Sequence, residues 1–424
     1  DALTEMRIPL PPAAAGNACQ TEVRLLSKTS HLPGDPRDLA LFIDTLAYAP
    51  CPNATIDASN GSLFVSGRTW AEYRNVVGTV VQDMTRLVLR GWDAAWYVSV
   101  VDAGYQFRRE IPQGQYNVNF FPLYPLLAKG VQLTLGVQAE TALVLVANVL
   151  FLAAIAALYF FVATRYDHEA AMTAVTALCF FPGAFFFSIP YSESLMLLLT
   201  VLFLLAADKK QWWLAALWAG LASATRMIGV SFAFVFVYLA FREKAWRSWP
   251  TSRRRFGQGV VSISGFLLYS AYQWYAFGMP FAASHATKEA WKVPTSDWIA
   301  AMLTAKPLVT LIRELYNNPF SAIHLSNTNI LLFLGVAAVG LLMARKLGPV
   351  ATIITFAQLF LIYMSFAGMN LFSTTRYCAV IAPFFIGLGL LFSRPLKAYY
   401  PILVAYFTLS LYLIAFFWSA GILS

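Results

Sequence analysis

The sequence predicts an all-α, polytopic membrane protein, and three observations carry that prediction. Of 424 residues, 59% are hydrophobic and only 12% are charged, whereas soluble domains carry about a quarter charged residues. Apolar stretches of near-spanning length recur from residue 141 to the C-terminus, most of them separated by short loops. The basic residues collect in loops between those stretches, so the net charge of +9 belongs to membrane topology and not to a nucleic-acid face.

Ten crossings are read, at 141–163, 169–188, 194–207, 211–225, 227–241, 257–277, 326–344, 347–368, 376–393 and 399–420; the third to fifth are short. Alternating sides places loops 164–169, 208–210, 242–256, 345–346 and 394–398 on one face, and these hold 13 Lys and Arg against four acids. The positive-inside rule makes that face cytoplasmic. The extracytoplasmic face then receives everything before residue 141, the Tyr191 to Ser194 turn, the loop 278–325 and the loop 369–375. Parity makes the first visible crossing run inward, so an upstream transmembrane helix is expected to be absent from this chain. Three regions follow. Residues 1–90 form a soluble extracytoplasmic segment, with the turn signal Pro33-Gly34-Asp35-Pro36-Arg37 and an amphipathic stretch from Val76 to Leu89. Residues 91–140 form an outer loop with interfacial helices, and residues 141–424 the transmembrane domain.

Cys19 and Cys51 fall in the outer segment and are candidates for a disulfide in an oxidising compartment. Cys179 and Cys378 lie in apolar helices. The chain lacks a Walker loop, a dinucleotide fingerprint, a His-Glu-x-x-His helix and a Cys-x-x-Cys pair. Its four histidines are far apart, so neither a metal site nor another cofactor is expected. The search narrows to ionisable groups at the outer membrane edge.

Asp93 stands first among them, in Gly91-Trp92-Asp93-Ala94-Ala95-Trp96-Tyr97. A carboxylate between two tryptophans sits in an apolar, aromatic setting that suits general-base work; the competing explanation is a helix-capping Asp beside interfacial tryptophans. The cluster Phe120-Phe121-Pro122-Leu123-Tyr124-Pro125 follows. Its prolines bar a regular helix start before Pro125, and a short interfacial helix after it is expected. Glu193, in Tyr191-Ser192-Glu193-Ser194, is placed where a helix enters the membrane from outside. Such an acid is either paired or functional, or it simply complements the helix dipole. Arg226 and Arg376 lie on the face away from the basic loops and need anionic company: a phosphate, a lipid headgroup or Glu193. Snorkelling to headgroups is the alternative. The outer loop adds His285 and Lys288.

The ordered set Trp92-Asp93, Gly104-Tyr105, Phe120 to Pro125, Tyr191 to Ser194, Ala224-Thr225-Arg226, Gly278 to Phe281 followed by Trp291, and Arg376 resembles the PIG-V family. These are mannosyltransferases of the GT-C membrane fold, best known for adding a mannose to GPI anchors, with bacterial relatives. The resemblance covers about residues 90–395 and rests on the order and spacing of several motifs. The chain differs in its long segment before Trp92-Asp93 and in carrying Gly91 where relatives often have a basic residue or His.

The resemblance implies a catalytic acid in the first outer loop, at Asp93, and a polyprenyl-phosphate sugar as donor. The acceptor would be a hydroxyl of a glycolipid, glycan or protein. Asp93 would deprotonate that hydroxyl in an inverting transfer, while Arg226 and Arg376, with Lys288 or His285, would stabilise the departing lipid phosphate. Glu193 would orient an arginine or a sugar hydroxyl, and Trp92, Tyr97, Tyr124 and Tyr191 would support the site. No metal is required if arginines neutralise the phosphate. A transporter or flippase of lipid-linked sugars would also want outer arginines, but the paired repeats of such folds are not seen here. A non-catalytic lipid-binding subunit is the third reading, and it would tolerate loss of Asp93.

Overall fold

The computed structural model describes residues 93–108, 116–290, 305–317, 325–366, 371 and 373–393, together with Leu89 and the backbone of five strands between residues 3 and 65. The chain divides into two units, with a boundary after Ala95. In the first, β1 (Leu3–Pro9), β2 (Glu22–Lys28) and β3 (Phe42–Tyr48) form an antiparallel sheet in that order, and β4 (Ile56–Asp57) pairs with β5 (Phe64–Val65). These strands correct the all-α expectation for the N-terminal segment. Val23, Ile43, Thr45 and Tyr48 are β-branched or aromatic and suit a pleated backbone. Cys19, Cys51, Trp92 and all of the amphipathic stretch except Leu89 lie outside the described residues.

From Asp93 onward the described residues carry no strand, as expected. The helices are α1 (Asp93–Ala103), α2 (Leu123–Leu135), α3 (Ala139–Arg165), α4 (His168–Cys179), α5 (Glu193–Asp208), α6 (Trp212–Ser223), α7 (Ala233–Arg242) and α8 (Trp249–Ser262). They continue with α9 (Ser264–Phe277), α10 (Ala282–Ala290), α11 (Lys306–Asn317), α12 (Leu325–Leu342), α13 (Ala344–Phe366), α14 (Thr374–Cys378) and α15 (Ala382–Phe392).

Two of the expected crossings, α3 and α13, are matched by helices long and apolar enough to span a bilayer. Most of the others are shorter or interrupted. The segment read as 169–188 is α4, a turn at Phe181-Pro182-Gly183 and a 3₁₀ helix at Ala184–Phe187. The segment 257–277 straddles a break at Ile263, and 376–393 is split between α14 and α15. Within α13 the backbone departs from helical geometry at Gly348, next to Pro349. Such breaks are tolerated in membrane proteins where the freed backbone groups are buried in protein. The last expected crossing, 399–420, is outside the described residues. Helix α2 begins at Leu123, two residues before the expected limit, because Pro125 falls in the first turn, where its missing N–H leaves no bond unmade. The loop 278–325 contains α10 and α11.

α5 is buried on nearly all sides, from Glu193 and Leu195 through Leu197, Val201 and Phe203 to Ala207, the expected state of a helix apolar all round. It packs between α3 and α6. Away from this core, Glu243 accepts hydrogen bonds from Arg254 and from the buried Arg255, which hold its carboxyl below the usual carboxylate range.

α9 meets the end of α6 backbone to backbone. A Cβ at Gly265 would overlap the Gly220 carbonyl oxygen and the Ala224 nitrogen, and one at Gly229 would overlap the Ala222 carbonyl. Small residues permit such approaches between membrane helices. Here they seat the turn that ends in Arg226. Gly265→Ala is therefore expected to destabilise by roughly 1–3 kcal/mol through overpacking. A lower thermal unfolding midpoint in detergent would register it, with little change at the control Gly259→Ala, where a Cβ meets open space.

Candidate active site

Glu193 opens α5 and is fully buried. Arg226 precedes a 3₁₀ helix at Met227–Phe232, and Arg376 sits in α14; they are 7% and 9% exposed. Both guanidiniums donate to Oε1 of Glu193. The anionic company that the arginines need is thus partly internal, and neither residue snorkels. Glu193 also keeps its place at a helix N-terminus, so pairing and dipole complement coexist.

Aromatic rings wall the cluster. The Arg376 guanidinium lies 4.5 Å from the Tyr191 ring centroid, and Arg226 lies 4.5 Å from that of Tyr377. Tyr97, on α1, hydrogen-bonds Ser192 Oγ at 2.8 Å, and the same Oγ is 3.4 Å from Nη1 of Arg226. Tyr97 is edge-on to Phe120 and Tyr124, with centroids 5.0 and 5.1 Å away. Burial pushes its phenol well above the ordinary range, so it stays protonated. Tyr124 donates to the Leu143 carbonyl at 2.9 Å. The structure thus gathers Tyr97, Tyr124, Tyr191, Glu193, Arg226 and Arg376 around one point.

Several side chains hold this arrangement that sequence reasoning did not single out. The Leu123 amide donates to the Ala224 carbonyl at 3.0 Å, fixing the Pro122 turn to the arginine turn. Asn329 Oδ1 accepts from the Thr375 amide at 2.9 Å and its hydroxyl at 2.7 Å, anchoring α14 to α12. Asn117, buried beside the end of α1, donates to the Gly104 carbonyl at 2.9 Å and accepts from the Gln106 amide at 2.8 Å. Gly104 has a φ of +76°, which frees it to turn the chain there. Ser192 and Tyr377 adjoin named residues, which was their only signal; Asn117 and Asn329 had none.

Asp93 is the first residue of α1 and is partly buried. That position also fits the capping alternative. His285 is set edge-on to Phe107 in a second aromatic cluster, and none of its described contacts reaches Glu193 or the arginines. The Lys288 side chain lies outside the described residues. Among the described residues no group of three His, Cys, Asp or Glu side chains is placed to hold a metal ion.

The family profile described as Mannosyltransferase (PIG-V) matches residues 37–295, more than half of the chain. The chain belongs to the PIG-V mannosyltransferase family. No curated protein sequence matches it. Among solved structures, this PIG-V family member is similar to ArnT from Cupriavidus metallidurans bound to undecaprenyl phosphate, with 12% identity, a TM-score of 0.41, and coverage of 77% of this chain and 61% of that one. It is also similar to the Archaeoglobus fulgidus oligosaccharyltransferase tethered with an acceptor peptide, with 14% identity, a TM-score of 0.40, and coverage of 82% and 55%. The same archaeal enzyme in complex with an inhibitory peptide and a dolichol-phosphate gives 14%, 0.38, and coverage of 84% and 56%. The PIG-V family chain thus spans between about half and three fifths of the length of these structures.

Proposed function

We propose that this PIG-V family protein is a membrane glycosyltransferase of the GT-C type. It moves mannose, or a similar hexose, from a polyprenyl-phosphate sugar to a hydroxyl of a glycolipid, glycan or protein on the extracytoplasmic face. The observation that carries the reading is the state of Arg226. It is almost fully buried, yet among the described residues all its hydrogen bonds leave from Nη1, so Nε and Nη2 remain to be donated. A single carboxylate oxygen shared with a second guanidinium does not satisfy such a group, and a planar fork of N–H donors suits a phosphate.

In this reading Asp93 takes the proton of the acceptor hydroxyl as its oxygen bonds to the anomeric carbon. The bond from that carbon to the phosphate oxygen breaks, and the electron pair leaves with the lipid phosphate. Arg226 and Arg376 meet the charge that develops there. The two guanidiniums do the work that a divalent ion does in other phosphate chemistry.

The test incubates the purified protein in lipid with labelled polyprenyl-phosphate mannose and membrane extract. Label is expected in a new product that identifies the acceptor. Movement of the labelled lipid across the bilayer without transfer would overturn the reading in favour of a flippase.

A further inference from the structure

Glu193 is divided between two oxygens with different fates. Oε1 takes both arginines, while Oε2, equally buried, has no hydrogen-bond partner among the described residues. A carboxylate oxygen is an acceptor only, and an unsatisfied one in an apolar interior is costly. An oxygen that only accepts must be satisfied by a group that carries a donor. A second anion is excluded by charge. A neutral hydroxyl fits.

We infer that Oε2 of Glu193 receives a hydroxyl of the donor's sugar ring, making Glu193 a residue that selects the sugar as well as one that holds the arginines. The inference rests on the reading of the arginines as the lipid-phosphate site and names what lies next to the phosphate. In a polyprenyl-phosphate hexose the ring is joined directly to the phosphate, so the ring hydroxyls nearest the anomeric carbon fall beside whatever grips the phosphate. Glu193 is bonded to both guanidiniums and is therefore in reach of them. A charged acceptor discriminates strongly between a ring that has the hydroxyl and one that lacks it.

The experiment measures binding and needs no turnover. Wild-type protein in lipid nanodiscs is titrated with bare polyprenyl phosphate, with polyprenyl-phosphate mannose, and with a series of monodeoxymannose lipids. Wild type is expected to bind the mannose lipid about tenfold to a hundredfold more tightly than the bare lipid, and one deoxy lipid is expected to lose most of that gain. Glu193→Gln is expected to shrink the gain to a few-fold and, with one negative charge removed, to bind bare polyprenyl phosphate several-fold more tightly. The deoxy series keeps the test decisive if Glu193→Gln fails to fold. Equal binding of every deoxy lipid by wild type would overturn the inference while leaving the phosphate site intact, and so would a sugar gain unchanged in Glu193→Gln. If wild type binds neither bare nor mannosylated lipid, the glycosyltransferase reading itself fails.

Discussion

Asp93→Asn is expected to abolish transfer while leaving the protein folded and its affinity for polyprenyl phosphate unchanged. The amide keeps the shape of the carboxylate and can still sit in the first turn of α1, where the side chain begins the helix. It cannot take a proton. Loss of a positioned general base typically removes about 10²–10⁴ of the rate, and a substitution acting only on the chemical step lowers kcat without moving binding. Asp102, at the other end of the same helix, is the natural control. It is exposed and its contact is with Gln132 Nε2 at 3.1 Å, so Asp102→Asn should stay within about twofold of wild type, as surface substitutions do. Asn caps a helix about as well as Asp, so a capping role predicts that Asp93→Asn keeps both melting temperature and turnover while Asp93→Ala lowers the melting temperature with turnover preserved, whereas a base predicts that both variants lose turnover. Wild-type turnover in Asp93→Asn, measured with labelled donor, would move the base elsewhere even within the same family.

What was legible in the sequence was set by how local each signal is. Long apolar runs such as 141–163 need no partner to be read, and α3 follows them closely. The breaks after α4, before α9 and after α14 are local departures from helical geometry inside apolar runs, and hydropathy counting does not see them. The strands before Asp93 were missed because short extended segments between turn signals look like any soluble loop. In the site, Glu193, Arg226 and Arg376 were found because charge in an apolar context is conspicuous. Their union on one carboxylate oxygen joins three residues from separate elements, and nothing local announces it. Asn329 shows the limit most plainly. It is one more polar residue in an apolar helix, yet it holds the amide of the residue before Arg376.

The second large effect lies in the charge of the cluster. Arg376→Ala is expected to weaken polyprenyl-phosphate binding by about tenfold to a hundredfold and to lower turnover by roughly 10²–10³ beyond that, the cost of losing one donor to a developing oxyanion. The fold should survive, because Glu193 keeps Arg226 as its partner. Arg376→Lys should recover little, since a point charge replaces a planar fork that also stacks on Tyr191. Charge and geometry separate in the double variant Arg376→Ala with Glu193→Gln. The second change returns the positive charge that the first removed, so binding of bare lipid phosphate should come back to within a few-fold of wild type, while turnover stays down by at least about a hundredfold. Recovery of binding alone would place Arg376 at the transition state. Recovery of turnover as well would reduce it to a counter-ion for Glu193, and recovery of neither would mean that the carboxylate positions Arg226 and that its charge is secondary.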